Sequence, residues 1–112
     1  MSVIWHNPRC SKSRATLALI EQAGINPEIR LYLNDAPSQT EIGEALGLLG
    51  IPAKDLVRKT DALFKELGLK GADEQTLIKA MSENPKLIER PIVFANNKAA
   101  IGRPPESVLS IL

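Results

Sequence analysis

Cysteine and histidine are almost missing from this chain: its 112 residues contain one of each, Cys10 and His6. A single cysteine excludes an intramolecular disulfide, and with a single histidine it also argues against a dedicated zinc site. Any redox cycle must therefore take its second thiol from another molecule. A surplus of one charge is missing too. The 14 basic and 13 acidic side chains nearly cancel, so the basic stripe that draws a phosphate backbone is not indicated, and nucleic acid is not an expected partner. No stretch approaches the roughly 20 apolar residues of a membrane span. Met1-Ser-Val-Ile-Trp-His6 has neither the basic start nor the apolar core of a secretory signal. The expectation is a cytoplasmic protein that does not engage membranes.

What is present fits an ordinary globular protein, with 44% hydrophobic and 24% charged residues. The length suits one compact domain over 1–112 without disulfides or a structural metal. Ser2-Val-Ile-Trp5 is a short β-prone run ending at Asn7-Pro8, and Ser11 to Ala23 carries helical spacing through Leu17, Ile20 and Ala23. Gly24 is placed to close that helix, after which Glu28-Ile-Arg-Leu-Tyr-Leu33 alternates like a half-buried strand. Ser38-Gln-Thr-Glu41 is a capping box opening a helix with an apolar stripe of Ile42, Ala45, Leu46 and Leu49. Short helices are expected near Ala53–Val57 and Asp61–Leu67, and a longer one from Asp73 to Asn84 before Pro85.

Pro91–Ala95 and Lys98–Ile101 flank Asn96-Asn97, a pair tolerant of the positive φ that a tight hairpin requires. A last helix is expected from about Glu106, with Val108, Leu109 and Leu112 inward. The order predicts an α/β fold: a βαβ unit, a helical insert over about 38–85, then a β-hairpin and helix. That order gives a mixed four-stranded sheet flanked by helices, an arrangement that resembles the thioredoxin fold.

Cys10 follows the first strand at the expected N-terminus of the first helix. Unpaired N–H groups and the helix dipole favour thiolate there, and Arg9, Lys12 and Arg14 add positive charge. A depressed Cys10 pKa is the expectation. The competing reading is a buried structural thiol. Ser13 leaves the loop as Cys-x-x-Ser, which removes a local dithiol but retains a hydroxyl able to donate to Cys10; alternatively it is a solvated first-turn serine. His6 can tune the thiolate or orient the loop, or be a strand-end histidine satisfied by backbone. Arg58 follows an apolar Leu-Val pair, and Arg90 and Arg103 each precede a proline, which holds them in extended conformations. Guanidinium forks suit tetrahedral oxyanions, although spacing alone leaves each of the three readable as a surface arginine.

Together these residues resemble the glutaredoxin-coupled ArsC family of arsenate reductases over essentially the whole chain. The most specific segment is His6-Asn-Pro-Arg-Cys-Ser-Lys-Ser-Arg14. Leu31-Tyr-Leu33, Leu56-Val-Arg-Lys59, Glu66-Leu-Gly-Leu69, Leu87-Ile-Glu-Arg-Pro-Ile-Val93 and Arg103-Pro104 follow in the family's order. The resemblance implies a thioredoxin-like fold with Cys10 as nucleophile, Arg58, Arg90 and Arg103 binding an oxyanion, and Pro91 as a cis-proline beside the thiol. His6, Asn7, Ser13 and Arg14 are implied as supporting residues. It further implies arsenate as substrate, glutathione as co-substrate, glutaredoxin as the reducing partner, no bound cofactor or metal, and a monomer. Two departures are Arg9, where arsenate-resistance members have a small residue, and the end at Leu112 without their C-terminal extension. Two other functions are compatible with the same fold. One is a thiol reductase acting on another oxidised substrate, such as a glutathione mixed disulfide. The other is a non-enzymatic regulator of the Spx type that binds RNA polymerase, although those regulators usually carry the Cys-x-x-Cys switch that Ser13 removes.

Overall fold

The computed structural model describes residues 2–112, which form two compact units. One comprises the chain up to Asp35 together with Arg90–Leu112, and the other is Ala36–Glu89. In the first, strand β1 (Val3–Trp5) leads through helix α1 (Ser11–Gln22) to strand β2 (Glu28–Arg30). Strands β3 (Ile92–Ala95) and β4 (Lys98–Ile101) complete a four-stranded sheet in the order β2-β1-β3-β4. β1 runs parallel to β2 and antiparallel to β3. This is the mixed, helix-flanked, thioredoxin-like sheet that the order of elements predicts.

One face of the sheet is sealed by α1 and a 3₁₀ helix, Pro105–Ile111. Ile4, Ile20, Val93 and Val108 are fully buried there, with Ala95 and Ile111 beside them. Each large aliphatic of this kind contributes about 1.5–3 kcal/mol through burial, which makes this layer the unit's main stabiliser. On the opposite face Trp5 packs on Phe94 with ring centroids 5.0 Å apart, and the Arg30 guanidinium lies 5.6 Å from the Trp5 ring centre. The β3–β4 turn places Asn96 at φ 54° and Asn97 at φ 60°, the backbone of a two-residue hairpin whose twist matches its strands.

Three expectations change. The strand read to Leu33 ends at Arg30: the Tyr32 N–H turns back to the Arg30 carbonyl, and the Asn34 and Asp35 N–H groups both donate to the Leu31 carbonyl. Its aliphatic residues face outward, with Ile29, Leu31 and Leu33 47%, 43% and 40% exposed, while Tyr32 is buried. The buried face of α1 is Ser13, Thr16 and Ile20 with half-buried Leu17, and Ala23 is exposed. In the final helix Val108 and Ile111 point inward and Leu109 outward, because three residues per turn bring 108 and 111 to one side.

In the second unit, helices α2 (Gln39–Leu49), α3 (Ala53–Leu56), α4 (Ala62–Glu66) and α5 (Glu74–Glu83) occupy the segment read as the helical insert. The Ser38 box is complete, with the Glu41 N–H on Ser38 Oγ and the Ser38 N–H on Glu41 Oε1, both at 3.0 Å. Gly50 ends α2 in the left-handed conformation at φ 68°, which glycine adopts without steric cost. Asp61 and Asp73 cap α4 and α5. α5 packs on α2 and α3 and buries Leu77, Ile78, Ala80 and Met81. Among the described residues no helix is long and apolar enough to cross a membrane.

Candidate active site

The parallel β1–β2 pair places the loop after β1 at the carboxyl end of these two strands, and α1 begins there. Cys10 occupies the N-cap position of α1, where the helix presents unpaired N–H groups. Its own N–H donates to the Asn7 carbonyl at 3.0 Å, and its carbonyl accepts from the Arg14 N–H at 3.0 Å, which fixes the residue at both ends. Partial burial pushes the Cys10 thiol up. The N–H groups of Ser13 and Lys12 and the guanidinium charges of Arg90 and Arg103 outweigh that and hold it below its ordinary value.

Arg90 and Arg103 meet at the thiol because they occupy matching ends of the β3–β4 hairpin. Ile92 pairs with Ile101, and one step further the Gly102 N–H donates to the Pro91 carbonyl at 2.9 Å. Arg103 Nε donates to the Arg90 carbonyl at 2.8 Å, which leaves Arg103 Nη2 3.9 Å from Cys10 Sγ. The Arg90–Pro91 peptide bond is cis. So is Arg103–Pro104, for which the sequence carried no signal beyond the Arg-Pro step itself.

The supporting residues lie in one hydrogen-bonded loop. Ser13 is fully buried, and its Oγ lies 2.6 Å from His6 Nδ1 while accepting the Asn7 N–H at 3.0 Å. With one donor already on its oxygen, the hydroxyl proton is best directed to an unprotonated Nδ1. Burial, followed by the nearby Arg14 charge, pushes the His6 pKa down and keeps the ring neutral. Of the two sequence readings of Ser13, the solvated one is overturned by its burial, and in place of a hydroxyl bond to Cys10 the hydroxyl serves His6 and Asn7 while the Ser13 backbone N–H acts on the sulfur. Asn7 Oδ1 accepts the Arg9 N–H at 3.0 Å, and Arg14 Nη1 donates to the Pro8 carbonyl at 2.9 Å. Arg14 thus braces the loop and acts on His6, and the side-chain charges that lower the Cys10 pKa are those of Arg90 and Arg103. Arg58 belongs to the helical unit, where its Nη1 lies 3.6 Å from Asp61 and 3.4 Å from the Lys86 carbonyl.

Thr16 and Gly102 escaped the sequence reading. A Cβ at Gly102 would collide with Thr16 Oγ1 and lie 2.8 Å from Pro91 Cγ, so only glycine lets α1 approach the segment that carries Arg90 and Arg103. The Thr16 hydroxyl is satisfied internally, donating to the Lys12 carbonyl at 2.7 Å, and can be buried without cost to the core. The one available signal was Gly102 standing directly before Arg103-Pro104. No cluster of three or more metal-ligating side chains occurs among the described residues. The chemistry on offer is a stabilised thiolate beside two guanidinium groups, able to hold an oxyanion and attack its central atom.

A model of the ArsC family matches residues 5–111. The Escherichia coli K12 protein YfgD, described as uncharacterized, is 51% identical over 112 residues, covering 97% of this chain and 94% of its own length. An arsenate reductase of Haemophilus influenzae is 50% identical over 113 residues, covering 98% and 97%. The solved structure of an arsenate reductase from Vibrio cholerae aligns with a TM-score of 0.97 at 48% identity, covering 99% of this chain and 97% of that one.

Proposed function

This chain belongs to the ArsC family, and from that premise we propose that it is a glutathione- and glutaredoxin-dependent arsenate reductase whose nucleophile is Cys10. The observation that carries the reading is the thiol at the N-terminus of α1, held below its ordinary pKa with Arg103 Nη2 3.9 Å away and Arg90 acting on it as well. Arginine forks neutralise a tetrahedral oxyanion, so an arsenate next to Arg90 and Arg103 is presented to the sulfur with its repulsion removed.

The thiolate attacks As(V) and an arsenate oxygen departs as water, leaving a Cys10–S–As bond. Glutathione displaces a second oxygen and forms its own S–As bond. Both sulfurs then leave arsenic joined as a Cys10–glutathione disulfide; the two electrons released reduce As(V) to As(III), and arsenite departs. Glutaredoxin returns Cys10 to the thiol. The two external thiols supply what a one-cysteine chain lacks. The cycle needs no bound cofactor, and the reducing cytoplasm with its glutathione is the compartment it suits.

The test is arsenate-dependent NADPH oxidation with glutathione, glutaredoxin and glutathione reductase supplied. Turnover present in the wild type, absent in Cys10→Ser and strongly reduced in Arg90→Ala is the expected result. An inactive wild type whose Cys10 still alkylates rapidly near neutral pH would remove arsenate and redirect the search to another oxidised substrate, such as a glutathione mixed disulfide.

A further inference from the structure

A cavity of about 440 Å³ opens within the helical unit. Its apolar wall comes from Val57 at the close of α3, Phe64 in α4, Leu69 in the turn that follows, and Leu77 in α5. Val57, Leu69 and Leu77 are buried and Phe64 is half-buried. The Leu69 N–H donates to the Phe64 carbonyl at 3.2 Å and the Ala72 N–H to the Leu69 carbonyl at 3.0 Å, so the turn after α4 is a fixed side of the hollow. Three exposed lysines, Lys54, Lys59 and Lys70, also line it, and no carboxylate does. Arg58 and Lys86 of the same unit are matched by Asp61, at 3.6 and 3.7 Å. Among the described residues none of the three cavity lysines forms an ion pair.

Size and lining are those of a small-molecule site, a concave and mostly apolar wall with a few polar groups that orient the ligand. Charges of one sign over a low-dielectric wall focus their field into the cleft, so the complementary molecule is an anion. The buried aliphatic wall requires the rest of that molecule to be apolar. An ammonium is a point charge on a flexible stem, suited to a single head group of no fixed orientation, whereas bidentate recognition would call for arginine. We infer that this cavity binds a small amphipathic carboxylate, with its acyl chain against Val57, Phe64, Leu69 and Leu77 and its head group among Lys54, Lys59 and Lys70. A polyanion would reach the lysines and leave the apolar wall unfilled, and a neutral lipid would leave the charges unanswered. Every lining group belongs to the helical unit, so occupancy can be read without turnover at Cys10.

The experiment titrates octanoate, well below micelle-forming concentrations, into the full chain and follows backbone amide shifts by NMR, with octanol as the uncharged counterpart. Saturable shifts at Phe64, Leu69 and Leu77 are expected, and octanol should bind about tenfold more weakly, the share of affinity that three exposed charges supply together. Lys54→Glu, Lys59→Glu and Lys70→Glu combined should weaken octanoate by about tenfold or more for the same reason. The three corresponding lysine-to-arginine changes, which keep the charge, should leave its affinity within about threefold. Lys98→Glu, an exposed position on β4, should leave octanoate binding unchanged. No saturable shift at the three wall residues, equal affinity for octanol, or undiminished affinity in the glutamate triple variant would overturn the inference. So would a tenfold loss in the arginine triple variant or in Lys98→Glu, because binding would then follow something other than charge at this cavity.

Discussion

In the helical unit the N-cap side chains of three helices act within three residues, Ser38 on Glu41, Asp61 on Leu63 and Asp73 on Thr76, and only the start of α3 draws on a more distant group, the Glu74 carboxylate that accepts the Ala53 N–H. The sheet unit is built the other way. Its Cys10 sulfur sits at a helix start with no capping side-chain bond, and the guanidinium 3.9 Å from it comes from a residue 93 positions away. Gly102 packs on Thr16, and buried Ser13 ties the two residues at the end of β1 to the first turn of α1. Local caps make a unit robust to change elsewhere in the chain. A site assembled from distant segments depends on each packing contact between them.

The sharpest way to break that contrast is Gly102→Val. Branched carbon forced against Thr16 and Pro91 should cost about 3 kcal/mol, the upper end for overpacking, and denaturant unfolding measures it. Gly47, on the exposed side of α2 with nothing within 4 Å of an added Cβ, should accept alanine with a small gain. Equal losses at both positions would abolish the distinction.

Next in size is Ser13→Ala, which strands His6 Nδ1 and the Asn7 N–H in a buried setting and should cost about 2 kcal/mol. The same variant should raise the alkylation midpoint of Cys10 only if the loop shifts. Comparison with Ser13→Thr, which retains the hydroxyl, separates the two effects.

Arg90→Ala should raise the Cys10 alkylation midpoint, and Arg103→Ala should raise it less, because Arg90 is the stronger of the two charges on the sulfur. An unchanged midpoint in both would mean that the backbone N–H groups of the first turn act alone.

Acid should act on the units in separate windows. The pKa of His6 is lowered on folding, so the unfolded chain takes up its proton first. Stability is complete above the ordinary value of 6.5 and declines as pH falls below it. His6→Gln should flatten that slope. Asp61 is held down by the Leu63 N–H, with Lys86 and Arg58 adding to it. Its contribution is intact above the ordinary value of 3.8 and is lost only as pH falls below that. Asp61→Asn should remove this last and smallest effect, read from pH-dependent thermal unfolding.

The same contrast explains what could be read from the sequence. The capping box at Ser38, the Asp73 cap, the Asn96-Asn97 turn and the Cys10 helix start all follow from residues lying within one turn of each other. Alternation in Glu28–Leu33 could not reveal which side faces the core, because three aliphatics on one side outweigh one tyrosine on the other, yet Tyr32 is the buried residue. Thr16 could not be read as core, since its hydroxyl finds its partner only once the helix exists. The approach of Arg90 and Arg103 to Cys10 required the whole sheet. The family resemblance supplied that expectation, and local physics did not.

The Asn96-Asn97 turn works as a gauge for a site at the opposite end of its hairpin. Its two-residue length sets Ile92 opposite Ile101 and so brings the Arg90 carbonyl within 2.8 Å of Arg103 Nε. One residue inserted at the tip would offset the strands by a single position, and a single-position offset reverses which side each residue faces. Because β3 is held in register by β1, the strand displaced would be β4: Ala100 would turn away from the core, and the two guanidinium groups would no longer stand level. The spacing of Arg90 and Arg103 is thus calibrated by two asparagines that lie at the far end of the hairpin.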